Sequence, residues 1–144
     1  MNALGLALSL ILGAIAALHA AWAARIWWPV RDEAALARTI AGFRGIERMP
    51  DILPSGAVTT VLFVCMLLAA DMSFFPGLTK LPHMLVAVAT AGASMVFLAR
   101  GMAGFTSFWA RLTPEQPFRT LDRRYYSPLC ILIGLGLATL VWSN

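Results

Sequence analysis

The sequence predicts an all-α integral membrane protein: a four-helix bundle with a short amphipathic interfacial helix in its first cytoplasmic loop. Three observations predict it. Hydrophobic residues make up 60% of the 144-residue chain and charged residues 12%, against roughly 45–50% and about 25% in soluble domains, and the mean hydropathy is +0.77. Four windows, residues 1–24, 52–70, 81–99 and 125–144, contain no Asp, Glu, Lys or Arg. Between them, the arginines fall almost entirely into the first and third connections.

The windows hold 24, 19, 19 and 20 residues, and a hydrocarbon core of about 30 Å needs about 20 helical residues. Inside lipid each backbone N–H and C=O must be bonded within the segment, so single spans of this length are helices. A barrel would need alternating segments of about 10 residues. The expected architecture is a single transmembrane domain over residues 1–144, with spans at about 3–24, 53–71, 82–103 and 126–142. The first window has no basic leader, and its apolar run exceeds the roughly 7–15 residues of a signal-peptide core, so it reads as a retained helix.

The first connection carries Arg25, Arg31, Arg38, Arg44 and Arg48, and the third carries Arg100, Arg111, Arg119, Arg123 and Arg124. Of the eleven basic residues only Lys80 lies elsewhere. Positive charge marks the cytoplasmic side, so the expectation is a multi-pass protein of the bacterial inner membrane with both termini on the outer side. The same arginines account for a pI near 9.8 and suit anionic lipid headgroups. Their interleaving with Asp32, Glu33, Glu47, Asp51, Glu115 and Asp122 argues against a nucleic-acid partner.

Small residues at four-residue spacing let membrane helices approach closely. The first helix offers Gly13/Ala17, Ala16/Ala20 and Ala20/Ala24, the third Ala87/Ala91 and the fourth Gly134/Ala138. They serve contacts within the chain or a homo-oligomer equally well. In the first connection, "RDEAALARTIAGFRG" opens with acids, places Leu36, Ile40 and Phe43 on one helical face and stops at Arg44-Gly45, as a short amphipathic helix does. Such a helix lies on the membrane surface, with Trp27 and Trp28 in the interfacial belt, or packs its apolar face on the bundle ends.

The second connection, "DMSFFPGLTKLP", holds the turn signal Pro76-Gly77, and Asp71 borders it with no evident partner. In the third, Phe105, Phe108, Trp109 and Leu112 extend the third helix along the interface. Thr113-Pro114-Glu115 then fits an N-cap followed by proline at the first helical position.

Chemical motifs are sparse. His19 lies six positions before Arg25, near the inner end of the first helix, and His83 opens the third from the outer side, so no bis-histidine site can form within one chain. Cys65 and Cys130 differ in depth, and a disulfide needs Cα atoms within about 7 Å. Phosphate-loop, Gly-x-Ser-x-Gly and His-Glu-x-x-His patterns do not occur. No metal and no cofactor are expected. Deep inside the spans there is no Asp, Glu, Lys or Arg, the usual mark of an ion pathway, which ranks a transporter third.

Topology gathers one polar set at the inner end of the bundle: His19, Trp22 and Arg25 from the first helix, Ser55, Thr59 and Thr60 from the second, Arg100 from the third, and Asp122, Arg123, Arg124, Tyr125, Tyr126 and Ser127 from the fourth. As a ligand site it takes an anionic headgroup or small amphiphile on Arg25, Arg100, Arg123 or Arg124, with His19, Tyr125 or Tyr126 hydrogen-bonding. As ordinary membrane architecture it is a ring of snorkelling arginines and belt tyrosines with Asp122 as a helix-terminal charge partner.

The segments His19-Ala-Ala-Trp22, "FLARGMAGF" (97–105) and "PFRTLDRRYYSPLC" (117–130) resemble the domain of unknown function 3995 family of small four-span bacterial membrane proteins. The most specific element is Leu-Asp-x-x-Tyr-Ser-Pro-Leu-Cys, matched by Leu121, Asp122, Tyr125 or Tyr126, Ser127, Pro128, Leu129 and Cys130. The resemblance implies a four-span fold and brings no activity or catalytic residue. Family members often carry an aromatic where this chain has Ala20-Ala21. The expected function is non-enzymatic: an accessory subunit of a larger membrane complex or a lipid- and amphiphile-binding bundle, with membrane lipids, other membrane subunits or a homo-oligomer as partners. The alternative is a small membrane enzyme or cofactor binder using the inner-end cluster, with His19 as acid/base or single ligand.

Overall fold

The computed structural model describes residues 3–144, and its secondary structure is helical throughout, with no strand among the described residues. The first two residues of the first window lie outside them. Helices α1 (Ala3–Ala23), α3 (Ile52–Asp71) and α4 (His83–Ala103) are long and apolar enough to cross a membrane, as is the continuous run Phe118–Ser143. That run comprises α6 (Phe118–Leu121), a π-turn (Asp122–Tyr126) and α7 (Ser127–Ser143). Two short helices complete the chain: α2 (Glu33–Ile40) and α5 (Ser107–Leu112). Leu53, Val88, Met95, Val96 and Leu132 are all more than half exposed on the long helices, as lipid-facing side chains are. The protein is a multi-pass membrane protein.

The long helices form two tight pairs, α1 with α3 and α4 with α7, joined by lighter α1–α7 and α3–α4 contacts. Leu8, Leu12, Leu62, Leu68, Val86, Ile133, Leu137 and Leu140 fill the shared core. Hydrogen bonds bind within both pairs: Ser9 Oγ donates to the Met66 carbonyl at 3.4 Å, and Ser94 Oγ to the Gly134 carbonyl at 2.7 Å. Gly13 meets Met66, and Gly134 lies so close to α4 that a Cβ would stand 2.7 Å from Leu98 Cγ. The small-residue spacing thus serves contacts within the chain at these positions.

The connections depart from the sequence expectations in four places. Helix α2 ends at Ile40, short of Arg44, because Gly42 turns the backbone to φ +64° beneath the Phe118 ring, where no Cβ fits. Phe43 therefore leaves the apolar face and is exposed, while Leu36 and Ala37 are fully buried against Trp22 and Met49. The helix packs across the end of the bundle.

Thr113 starts no helix. It ends α5, fully buried, with Oγ1 donating to the Trp109 carbonyl at 2.8 Å. The helical run that holds the fourth span begins at Phe118, ahead of the charge-free window, and carries Asp122 buried with a partner.

Asp71 is the fourth departure. It is 7% exposed and accepts from Gly77 N at 3.1 Å, Thr79 N at 2.7 Å and Thr79 Oγ1 at 2.6 Å. Gly77 at φ +83° gives the loop the turn that aims these donors inward. One carboxylate closes the whole α3–α4 connection. Asp71→Ala leaves those donors without their acceptor and is expected to destabilise the protein by about 1–3 kcal/mol, read from denaturant unfolding in detergent micelles; Asp71→Asn, which keeps one acceptor oxygen, is expected to cost less.

Candidate functional site

The end of the bundle that carries the arginines is built around Asp122. Its side chain is fully buried, and Arg100 Nη2 donates to Oδ1 at 2.6 Å. Ser127 Oγ donates to the same oxygen at 3.2 Å, and Trp109 Nε1 to Oδ2 at 3.0 Å. Arg100 also donates to Ser127 Oγ at 3.3 Å, and its guanidinium lies 4.7 Å from the Trp109 ring centroid. Both carboxylate oxygens are thus satisfied, as a buried carboxylate requires, while Arg100 engages two of its five N–H donors and keeps 30% of its side chain exposed.

Local sequence explains the assembly. Five residues along an α-helix rotate by about 500°, which leaves residues i and i+5 about 140° apart. In the π-turn Ser127 N–H bonds to the Asp122 carbonyl, an i→i+5 closure, which brings Asp122 and Ser127 onto one face. On α4, Gly101 and Gly104 give the backbone the space to approach. A Cβ on Gly101 would stand 2.8 Å from the Ser127 carbonyl, and one on Gly104 would run into the Ser127 hydroxyl. Thr106 caps α5 by accepting from Trp109 N at 3.2 Å, which turns the Trp109 indole inward. Trp109 was legible in the sequence only as an interfacial residue, and Ser127 only as one member of the inner-end polar set.

Beside this knot, in the seam between the two helix pairs, lies a cavity of about 590 Å³. Its deep wall is apolar: Ile15, Leu62, Phe97 and Ile133. Its polar wall holds His19, Thr39, Arg100, Tyr126 and Cys130, and α2 lies across it through Leu36 and Ile40. His19 Nδ1 is 2.9 Å from the Ile15 carbonyl, which only accepts, so this nitrogen carries the proton. The ring lies tilted against Trp22, with 4.8 Å between centroids, and Trp22 Nε1 donates to the Trp28 carbonyl at 2.9 Å. Tyr126 Oη donates to the Thr39 carbonyl at 3.3 Å and ties α7 to α2.

The predicted residues therefore separate into four groups. His19, Trp22, Arg100 and Tyr126 meet at the cavity. Asp122 stands behind Arg100 and does not line it. Arg25 lies outside, with Glu33 at 3.4 Å, Asp51 at 3.8 Å and the Trp27 ring beneath it. Arg123 and Arg124 line a separate open surface groove with Arg119, and exposed Tyr125 lies beside Arg124. Cys65 and Cys130 are free thiols. His83 is at the far end of α4 from Arg100, and no group of three metal-ligating side chains occurs among the described residues.

Removing one partner of a buried pair strands the other. Asp122→Ala is expected to cost about 3 kcal/mol, the low end for such pairs because Arg100 keeps 30% of its side chain exposed. The double variant Arg100→Met/Asp122→Leu is expected to be more stable than Asp122→Ala in the same micellar unfolding assay.

Comparison with known proteins adds one match. The family model described as "Protein of unknown function (DUF3995)" matches residues 12–137. The search of curated proteins and the search of solved structures each return no match. Since the matched stretch runs from within α1 to within α7 and takes in both the Arg100–Asp122 knot and the cavity wall, the chain belongs to the DUF3995 family of proteins of unknown function.

Proposed function

We propose that the protein is a non-enzymatic amphiphile-binding bundle of the bacterial inner membrane, with its arginine-rich end on the cytoplasmic side and both termini on the outer side. The observation that carries the reading is the cavity in the helix seam. Its volume of about 590 Å³ lies within the roughly 300–1,000 Å³ of ligand pockets, which combine an apolar lining with a few placed polar groups. Polar groups cluster at the end nearer the membrane surface and apolar ones lie deeper, the polarity of a lipid-like molecule entering tail first.

The orientation rests on charge. Ten of the eleven basic residues sit at one end, and such asymmetry is set by retention of arginine on the cytoplasmic side.

Leu129 lines the cavity and is only partly buried. Leu129→Trp is expected to fill the space. Mass spectrometry of lipid extracts, after size-exclusion chromatography in mild detergent, should then find an amphiphile retained by the wild type and absent from the variant. Equal extracts from the two proteins would remove the reading. For orientation, in a Cys65→Ala/Cys130→Ala background, a cysteine replacing exposed Arg38 should react with a membrane-impermeant maleimide only after the cells are opened, and one replacing exposed Ser143 should react in intact cells.

A further inference from the structure

We infer that the cavity selects a single-chain amphiphile with an uncharged head whose hydroxyl donates a hydrogen bond to His19 Nε2. The inference rests on the amphiphile-binding reading above and names the chemistry of the head.

The first argument is the charge of the wall. Arg100 is the one charged residue lining the cavity, and Asp122 cancels it at 2.6 Å from behind. An anionic head would compete with a carboxylate already bonded by arginine, serine and tryptophan, and a cationic head would meet no carboxylate on the wall. The other arginines are elsewhere: Arg25 pairs with Glu33 and Asp51, and Arg123 and Arg124 line the separate surface groove. Charge complementarity therefore favours a neutral ligand, since a bare charge in such surroundings is costly.

The second argument is hydrogen-bonding capacity. Trp22 Nε1 and the Tyr126 hydroxyl proton are already committed to the carbonyls of Trp28 and Thr39. His19 donates from Nδ1 to Ile15, so in the neutral ring Nε2 is a bare acceptor. That nitrogen has no hydrogen-bond partner among the described residues. Trp22, in tilted contact at 4.8 Å between ring centroids, and the Ile15 bond hold the ring in place. Nε2 is accessible rather than buried, and an accessible acceptor at the polar end of an otherwise apolar cavity suits a ligand hydroxyl.

The third argument is direction. Ile15 lies one helical turn deeper than His19, and Leu62 and Ile133 continue the apolar wall beyond it. A chain attached to a hydroxyl at His19 therefore runs into the core.

The test uses the full chain in nanodiscs and three probes of equal chain length: hexadecanol, its methyl ether 1-methoxyhexadecane, and hexadecanoate. Hexadecanol is expected to bind about tenfold more tightly than either of the others, the scale of one hydrogen bond left unmade. Hexadecanol should also shift the His19 Nε2 resonance of ¹⁵N-histidine-labelled protein, the ether should not, and His83 serves as the internal control. His19→Phe is expected to bring hexadecanol to the affinity of the ether and leave the ether within about twofold. The wild-type comparison and the resonance stand without this variant if it fails to fold. Equal affinity for alcohol and ether, or tightest binding of hexadecanoate, overturns the inference and leaves an amphiphile-binding bundle. Binding of none of the three overturns both.

Discussion

The arginine-rich half of the molecule depends on one ion pair, Arg100 to Asp122. A carboxylate with no solvent exposure is tolerated in a membrane bundle only when its charge and its lone pairs are all met. Meeting them recruits α4 through Arg100, α5 through Trp109 and the π-turn with α7 through Ser127. Such a pair adds little net stability, since desolvation offsets most of its Coulomb energy. Its physical role is registry: other rotations of α7 against α4 leave Asp122 unpaired, so one arrangement is selected. Gly101 and Gly104 are the steric counterpart, because the pair closes only if the two backbones come close.

The cavity follows from this arrangement. Tight approach of α4 to α7 at the knot, and of α1 to α3 in the other pair, leaves the looser seam between the pairs unfilled. Helix α2 covers that seam because the Tyr126–Thr39 bond and the packing of Leu36 and Ala37 against Trp22 and Met49 hold it across the bundle end. The same ion pair that sets the helix register also neutralises the single charged residue on the cavity wall, so packing and ligand chemistry are two results of one interaction. At the opposite end Asp71 does the equivalent work for a loop, exchanging solvation for three hydrogen bonds from Gly77 and Thr79.

The functional residues fall into classes that composition alone does not separate. Arg25, Arg100, Arg123 and Arg124 are indistinguishable by type and depth in the sequence. In three dimensions one is part-buried against a buried aspartate beside a cavity, one is in a surface ion-pair set, and two face an open groove. Surface pairs of the Arg25 kind contribute little. The difference among them comes from which helix face each arginine occupies.

Span number, span order and the gathering of arginine at one end were determined by the sequence alone, because lipid imposes length and polarity on any segment that crosses it. His19 and Trp22 at that end, the small residues at Gly13 and Gly134, and the family-specific "LDRRYYSPLC" stretch were legible for the same reason. Tertiary structure alone decided that Asp122 and Asp71 are buried acceptors, that Trp109 turns inward, that Thr113 ends a helix and that α2 stops at Ile40, ahead of Gly42. Each of these depends on a partner from another element or on a backbone turn, and a one-dimensional pattern records depth in the membrane but not the direction in which a side chain faces. The cavity belongs to this second class, since a void is a property of how helices fail to fill the space between them.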